Sequence, residues 1–223
     1  MSVRRCAGIA LLVLMLAGCA GTGASAPTAT SPPAATPTPD PGAGELVEIG
    51  AFTGLVWGGG SYGVVLVGAS SGAAAAWRAP ALALANEDMT VLALNDYSYR
   101  YVVDAIDYLR NERGVEAVAL IGVSTGAPPV IGVGIIAPDK VDQIILISGF
   151  GEYQDMGAFP KLFIVAEGES GMLRRARTMA EESPGNDNEL LILPGSASGE
   201  ALFTSDAGDE LLAALIERLQ QFR

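Results

Sequence analysis

Six short apolar runs with no polar face constrain this chain more than any other feature. The first is Gly63-Val64-Val65-Leu66-Val67, and residues 90–94, 117–121, 143–147, 161–165 and 189–193 repeat its character. A half-exposed strand alternates apolar and polar side chains, so a β-branched run without alternation belongs to a strand covered on both sides. Helical patterns lie between the runs. Val102, Ala105, Ile106 and Leu109 recur at i, i+3, i+4 and i+7, with Ser98 as the cap and Gly114 as the stop. Leu212, Leu215, Ile216 and Leu219 repeat that spacing near the end of the chain. Buried strands alternating with amphipathic helices predict an α/β architecture, a mostly parallel sheet with helices on both faces. Residues 47–49 and 52–57 are expected to add two antiparallel edge strands.

The N-terminus has a different character. Arg4 and Arg5 form a basic start, and residues 7–17 form an apolar stretch too short to span a bilayer as a helix. It ends in Leu16-Ala17-Gly18-Cys19, which resembles a bacterial lipobox. That resemblance implies a lipoprotein signal peptide over 1–18, cleavage before Cys19 and lipid on the Cys19 thiol. The implied location is extracytoplasmic, with the cell-envelope membrane as partner through Cys19. The alternative is an ordinary signal peptide with a chance cysteine. The only other cysteine is Cys6, inside the signal, so the mature chain would hold no disulfide. Residues 19–44 read as the lipidated cysteine followed by a Pro/Thr/Ala-rich linker with six prolines. Such a tether reaches about 75 Å when fully extended. Residues 45–223 are then the folded domain.

Half of the residues are apolar and 17% are charged, a globular composition. The net charge is -12, and the only lysines are Lys140 and Lys161. A phosphate backbone needs clustered Lys and Arg, so nucleic acid is excluded as a partner. No Cys, His and Asp set has metal-ligand spacing, and neither a metal nor another cofactor is expected. Trp57 and Trp77 read as packing residues, and Glu181-Glu182 and Asp209-Glu210 as solvated helix ends.

The run at 117–121 leads into Gly122-Val123-Ser124-Thr125-Gly126 and then a helix-like segment. This is G-x-S-x-G in the strand–turn–helix setting that gives the motif chemical meaning. The glycines permit a sharp turn that lifts the Ser124 hydroxyl above the sheet, and the Thr125 N–H points where an oxyanion would develop. Pro128-Pro129 fits the first helical turn, whose N–H groups lack intrahelical partners.

On these residues the chain resembles the α/β-hydrolase superfamily over 52–223. Residues 64–70 look like its third strand and oxyanion loop, with Ala69 supplying the second oxyanion N–H beside Thr125. The segment 104–110 looks like the helix before the elbow. Phe159 to Glu169 resembles the strand delivering the triad acid, and Glu169 takes the acid position. Residues 190–199 resemble the last strand and the loop that carries the catalytic histidine, whose place is taken by Ser198. No length remains for a cap domain. The resemblance thus implies Ser124 as nucleophile, Glu169 as acid and Ser198 at a vacant histidine position. Glu169 also reads as a helix N-terminal acid favoured by the dipole.

The chain departs from that family at the decisive point. It contains no histidine at any position. A serine hydroxyl needs a neighbouring base to become a nucleophile near neutral pH. Losing the histidine of such a triad costs on the order of 10⁶ in turnover. Gly68-Ala69 also stands where many members carry His-Gly. Asp96, after the fourth run, is a weak base unless strongly desolvated. Two function classes remain open. One is a catalytically silent pseudoenzyme that binds a small-molecule or acyl ligand. The other is a serine esterase or acyl hydrolase with residual activity through Ser124.

Overall fold

The computed structural model describes residues 40, 42–68, 70 and 72–223. The signal peptide over 1–18, Cys19, most of the linker over 19–44 and the oxyanion position Ala69 therefore lie outside the described residues. The end of the expected linker is docked on the domain. Asp40 pairs with Arg78 at 2.7 Å, and the Gly42 carbonyl accepts a hydrogen bond from Trp57 Nε1 at 3.1 Å.

Eight strands form one sheet: β1 (Glu45–Ile49), β2 (Phe52–Gly58), β3 (Tyr62–Val67), β4 (Met89–Leu94), β5 (Ala117–Val123), β6 (Gln143–Ile147), β7 (Lys161–Ala166) and β8 (Asn188–Leu193). Their order across the sheet is β1-β2-β4-β3-β5-β6-β7-β8. The pairs β1–β2 and β2–β4 are antiparallel, and every other pair is parallel. The six apolar runs all became strands, and the antiparallel edge pair is present.

Five helices cover the sheet: α1 (Arg78–Ala85), α2 (Tyr99–Glu112), α3 (Ala127–Ile136), α4 (Ser170–Glu182) and α5 (Gly208–Gln221). Successive strand residues point to opposite faces, and the core divides accordingly. Val65, Leu92, Leu120, Ile144 and Phe163 pack with Val102, Ile106, Val130 and Met179 of α2, α3 and α4. Val64, Val91, Ile121, Ile145 and Ile164 pack with Leu84 of α1 and Leu211, Leu215 and Leu219 of α5. No helix among the described residues is long and apolar enough to cross a membrane.

Three details differ from the sequence expectation. No helix joins β6 to β7; the connecting loop instead buries Tyr153 and Met156 against the α3–α4 face. In α5 the buried stripe runs through Leu211, Leu215 and Leu219, while Leu212 and Ile216 are half-exposed on its border. Ser98 occupies the N-cap of α2 without a side-chain capping bond. At the other end of α2, Gly114 adopts φ 71°, and the Val115 N–H returns to the Leu109 carbonyl at 3.2 Å.

Lys161, Tyr62 and Gln143 are buried at the N-terminal edge of the parallel strands. Lys161 Nζ donates to the carbonyls of Phe159 at 2.8 Å and Pro184 at 2.5 Å. Burial lowers its pKa to about 8. Tyr62 accepts a hydrogen bond from Gln143 Nε2 at 2.7 Å, and burial raises its pKa to about 12. The unfolded chain holds the Lys161 proton to higher pH than the folded one does. Stability should therefore rise with pH above about 8. Tyr62 acts oppositely, because the unfolded phenol ionises first near pH 10, so the gain should stop there. Urea denaturation at pH 7 to 10 should show this rise, and Lys161→Met should flatten it.

Candidate active site

The strand–turn–helix at β5 is formed by close backbone approach. Ser124 sits at φ 51°, a left-handed conformation that costs a non-glycine residue about 1–3 kcal/mol. Two glycines make the turn sterically feasible. A Cβ on Gly126 would lie 2.1 Å from the Val67 carbonyl oxygen, and one on Gly122 would lie 2.9 Å from Ala127 Cα. The turn thus lodges against the end of β3, and α3 starts directly behind it with Pro128-Pro129 in its first turn. Ser124 is half-buried and Thr125 is exposed at the mouth of the turn.

The C-terminal ends of β6, β7 and β8 converge on the same place. Ser148, directly after β6, is 3% exposed and adopts φ 47°. Its hydroxyl donates to Glu169 Oε2 at 2.8 Å and accepts from the Gly199 N–H at 2.9 Å. Gly199 is at φ 60°, and a Cβ there would lie 3.4 Å from Ser124 Cβ. Ser198 precedes it and is exposed. The residues predicted from sequence, Ser124, Glu169 and Ser198, therefore meet at one edge of the sheet, with Ser148 linking the acid to the loop after β8.

Glu169 stands at the N-cap of α4 but makes no side-chain capping bond there. Its carboxylate turns back to Ser148 and to the Ala166 N–H, 3.2 Å away. Glu169 therefore stands at the N-terminus of α4, where the helix dipole favours a carboxylate, while its side chain bonds to Ser148 and the Ala166 N–H. Asp96 accepts from the Tyr97 N–H at 2.7 Å, a bond within its own turn. No group of three or more His, Cys, Asp or Glu among the described residues could hold a metal ion.

Three residues of this region went unnoticed in the sequence. Ser148 follows an unremarkable strand, and only its union with Glu169 and Gly199 gives it importance. Asn95 anchors the loop after β3: its Oδ1 accepts from the Ala74 N–H at 3.2 Å, its Nδ2 donates to Thr53 Oγ1 at 3.0 Å, and its carbonyl accepts from the Gly72 N–H at 2.7 Å. Glu200 places Oε1 2.7 Å from where a Gly68 Cβ would stand, so a carboxylate lies against the oxyanion loop. A polar residue immediately after a strand was the only available signal for the first two.

No family model matches the chain, and no curated protein matches it in sequence. Solved structures do match. Dienelactone hydrolase from Anabaena variabilis superposes with a TM-score of 0.62 at 17% identity, covering 80% of this chain and 94% of that one. Monoacylglycerol lipase from Paleococcus ferrophilus gives 0.61 at 16% identity, covering 80% and 100%. A serine hydrolase involved in carbazole degradation gives 0.63 at 14%, covering 80% and 98%. The fold is that of the α/β-hydrolase superfamily. Among the described residues, this chain has no cap domain.

Ser148→Ala leaves the buried Gly199 N–H without its partner and removes one of the two donors to Glu169 Oε2. It should lower stability by about 1–3 kcal/mol, measured by urea denaturation. Ser198→Ala, on an exposed side chain, should leave stability within about 0.5 kcal/mol of the parent.

Proposed function

We propose that this chain is an extracytoplasmic lipoprotein whose α/β-hydrolase-fold domain binds a small-molecule or acyl ligand and is catalytically silent or nearly so. One observation carries the reading. Ser124 stands in a fully formed elbow, in a chain without a single histidine, and the carboxylate at the acid position is engaged by the Ser148 hydroxyl. An acid in the triad orients an imidazole and stabilises its cation; here its partner is a hydroxyl that cannot take a proton from Ser124 at neutral pH. Removing the base leaves on the order of 10³–10⁴ over water, from the oxyanion hole and binding. Glu200 opposes even that, since a carboxylate beside the oxyanion loop disfavours a second negative charge there.

The second reading is a weak serine hydrolase. It is favoured by the strain kept at Ser124, whose φ of 51° is needless for a hydroxyl that only binds. The matched structures named as hydrolase, lipase and esterase favour the same reaction class. The mature protein should show no Ser124-dependent labelling by a fluorophosphonate, and Ser124→Ala should leave hydrolysis of an activated ester unchanged. A rate that vanishes in Ser124→Ala would restore the enzyme.

The reverse experiment tests the ancestry. On the triad mapping, an imidazole introduced by Ser198→His reaches the Ser124 hydroxyl and Glu169. It should raise activated-ester hydrolysis at least about tenfold, a barrier change of roughly 1.4 kcal/mol, and Ser124→Ala should abolish the gain. Ala69→Gly is a useful addition, because the oxyanion turn has also drifted from the family pattern.

The anchor rests on the basic start, the short apolar run and Leu16-Ala17-Gly18-Cys19. Palmitate labelling should mark the wild type and disappear in Cys19→Ala. Soluble, unlabelled protein cut elsewhere would overturn it.

A further inference from the structure

The two outer strands of the sheet differ in how they resist pairing with another chain. β1 places Glu45 and Glu48 among its five residues, and charge on an edge strand discourages further pairing. β8 reads Asn188-Glu189-Leu190-Leu191-Ile192-Leu193, an aliphatic run after two polar residues. It ends the sheet, with β7 on one side and no strand on the other among the described residues. The one charge in β8, Glu189, is drawn to Arg218 of α5 at 2.9 Å.

The backbone of β8 serves β7 with alternate residues only. The Asp187 and Leu193 carbonyls accept from the Lys161 and Glu167 N–H groups, 3.1 and 2.9 Å away. Residues 189 and 191 share that direction, so the N–H and C=O groups of Leu190 and Ile192 point outward. Their side chains are not sunk in the core either. Leu190 and Leu191 are half-buried, and Ile192 is 36% exposed. On the α5 face an open groove lined by Leu162, Leu191 and Ala214 borders the strand.

A second, independent feature is the charge on α4, which joins β7 to β8. Its flank toward α3 carries Arg175, beside Ile131 and Phe150, and Glu182, which accepts from the Tyr153 hydroxyl at 2.6 Å. At about 100° per residue, the exposed Arg174, Arg177 and Glu181 lie across the buried Ala176 and Met179 on the other flank, which overlooks β8. Basic residues toward the start of this flank and an acid toward its end make it complementary to an antiparallel copy of itself.

We infer that β8 pairs antiparallel with β8 of a second copy of this chain, joining the two eight-stranded sheets edge to edge. The two-fold axis passes at Leu191. Leu190 then faces Ile192 of the partner subunit across a hydrogen-bonded pair, and the reciprocal pair repeats it. The two Leu191 residues meet as a non-hydrogen-bonded pair, with Cα atoms about 4.5 Å apart. The same operation sets Arg174 of each copy against Glu181 of the other. Neither Ser124 nor its neighbours take part, so the pairing stands apart from the reading of the elbow.

Sedimentation equilibrium of the purified full chain should show a dimer, with a dissociation constant of about 10 μM or below. Ile192→Lys puts a charge into the paired edge and should weaken association at least about tenfold. Glu181→Arg opposes two arginines across the interface and should weaken it about threefold or more. Adding Arg174→Glu should restore the parent value, because the exchanged charges again face each other. In a Cys6→Ser, Cys19→Ala background, Leu191→Cys should oxidise to a disulfide-linked dimer, since a disulfide spans Cα atoms about 4.4–6.8 Å apart. Leu46→Cys, exposed on β1, should not. Urea denaturation of each variant separates loss of pairing from loss of fold. A monomer at about 100 μM would overturn the inference. So would a dimer indifferent to both Ile192→Lys and Glu181→Arg, or cross-linking through position 46 as readily as through 191.

Discussion

The approach of Gly126 to the Val67 carbonyl governs the rest of the site. Any side chain at 126 would collide with the end of β3, with a Cβ only 2.1 Å from that oxygen. Because the turn can press so close, α3 starts immediately after β5 and packs Val130 and Val133 onto the sheet. The same closeness forces Ser124 into a left-handed conformation and holds it there. Backbone strain of this kind persists only where the surroundings over-determine it. Here they are two glycines, a β3 carbonyl and the Gly199 backbone on the far side.

Ser148 does for the other half of the site what Gly126 does for the elbow. One hydroxyl joins three strand ends: its own at β6, the Glu169 carboxylate beyond β7, and the Gly199 N–H beyond β8. In a triad, an imidazole would make the bond to the acid and reach the serine. With no histidine in the chain, the acid is satisfied by a group that stays on its own strand, and the link to Ser124 runs through packing at Gly199. The Glu169 Oε2 atom is thus satisfied by the Ser148 hydroxyl and the Ala166 N–H.

Much of this fold was legible because its dominant signal is local. A run such as Gly63-Val64-Val65-Leu66-Val67 has one reasonable destination, and each such run became a strand within a residue or two of its expected ends. The elbow was legible because its glycines carry a steric requirement that survives in the pentapeptide. The stripe of α5 was misread by one residue because Leu211 and Leu212 are adjacent and only tertiary packing decides between them. The loop between β6 and β7 replaced an expected helix because Gly149, Gly151 and Gly157 interrupt it and Tyr153 and Met156 cover the core without one. Ser148, Asn95 and Glu200 were missed for a common reason. Each acts on residues 20 to 50 positions or more away, or on a loop backbone, and no periodicity encodes such a meeting.

Glu169 reaches the Ser148 hydroxyl near the elbow, and Glu200 lies against Gly68. A hydrolase of esters must stabilise a developing oxyanion, which calls for donors and positive potential at the oxyanion loop. Glu200 sets its carboxylate close to Gly68, at the end of β3. The chain offers Ser124 no imidazole, and the Glu200 carboxylate stands beside the backbone that follows β3.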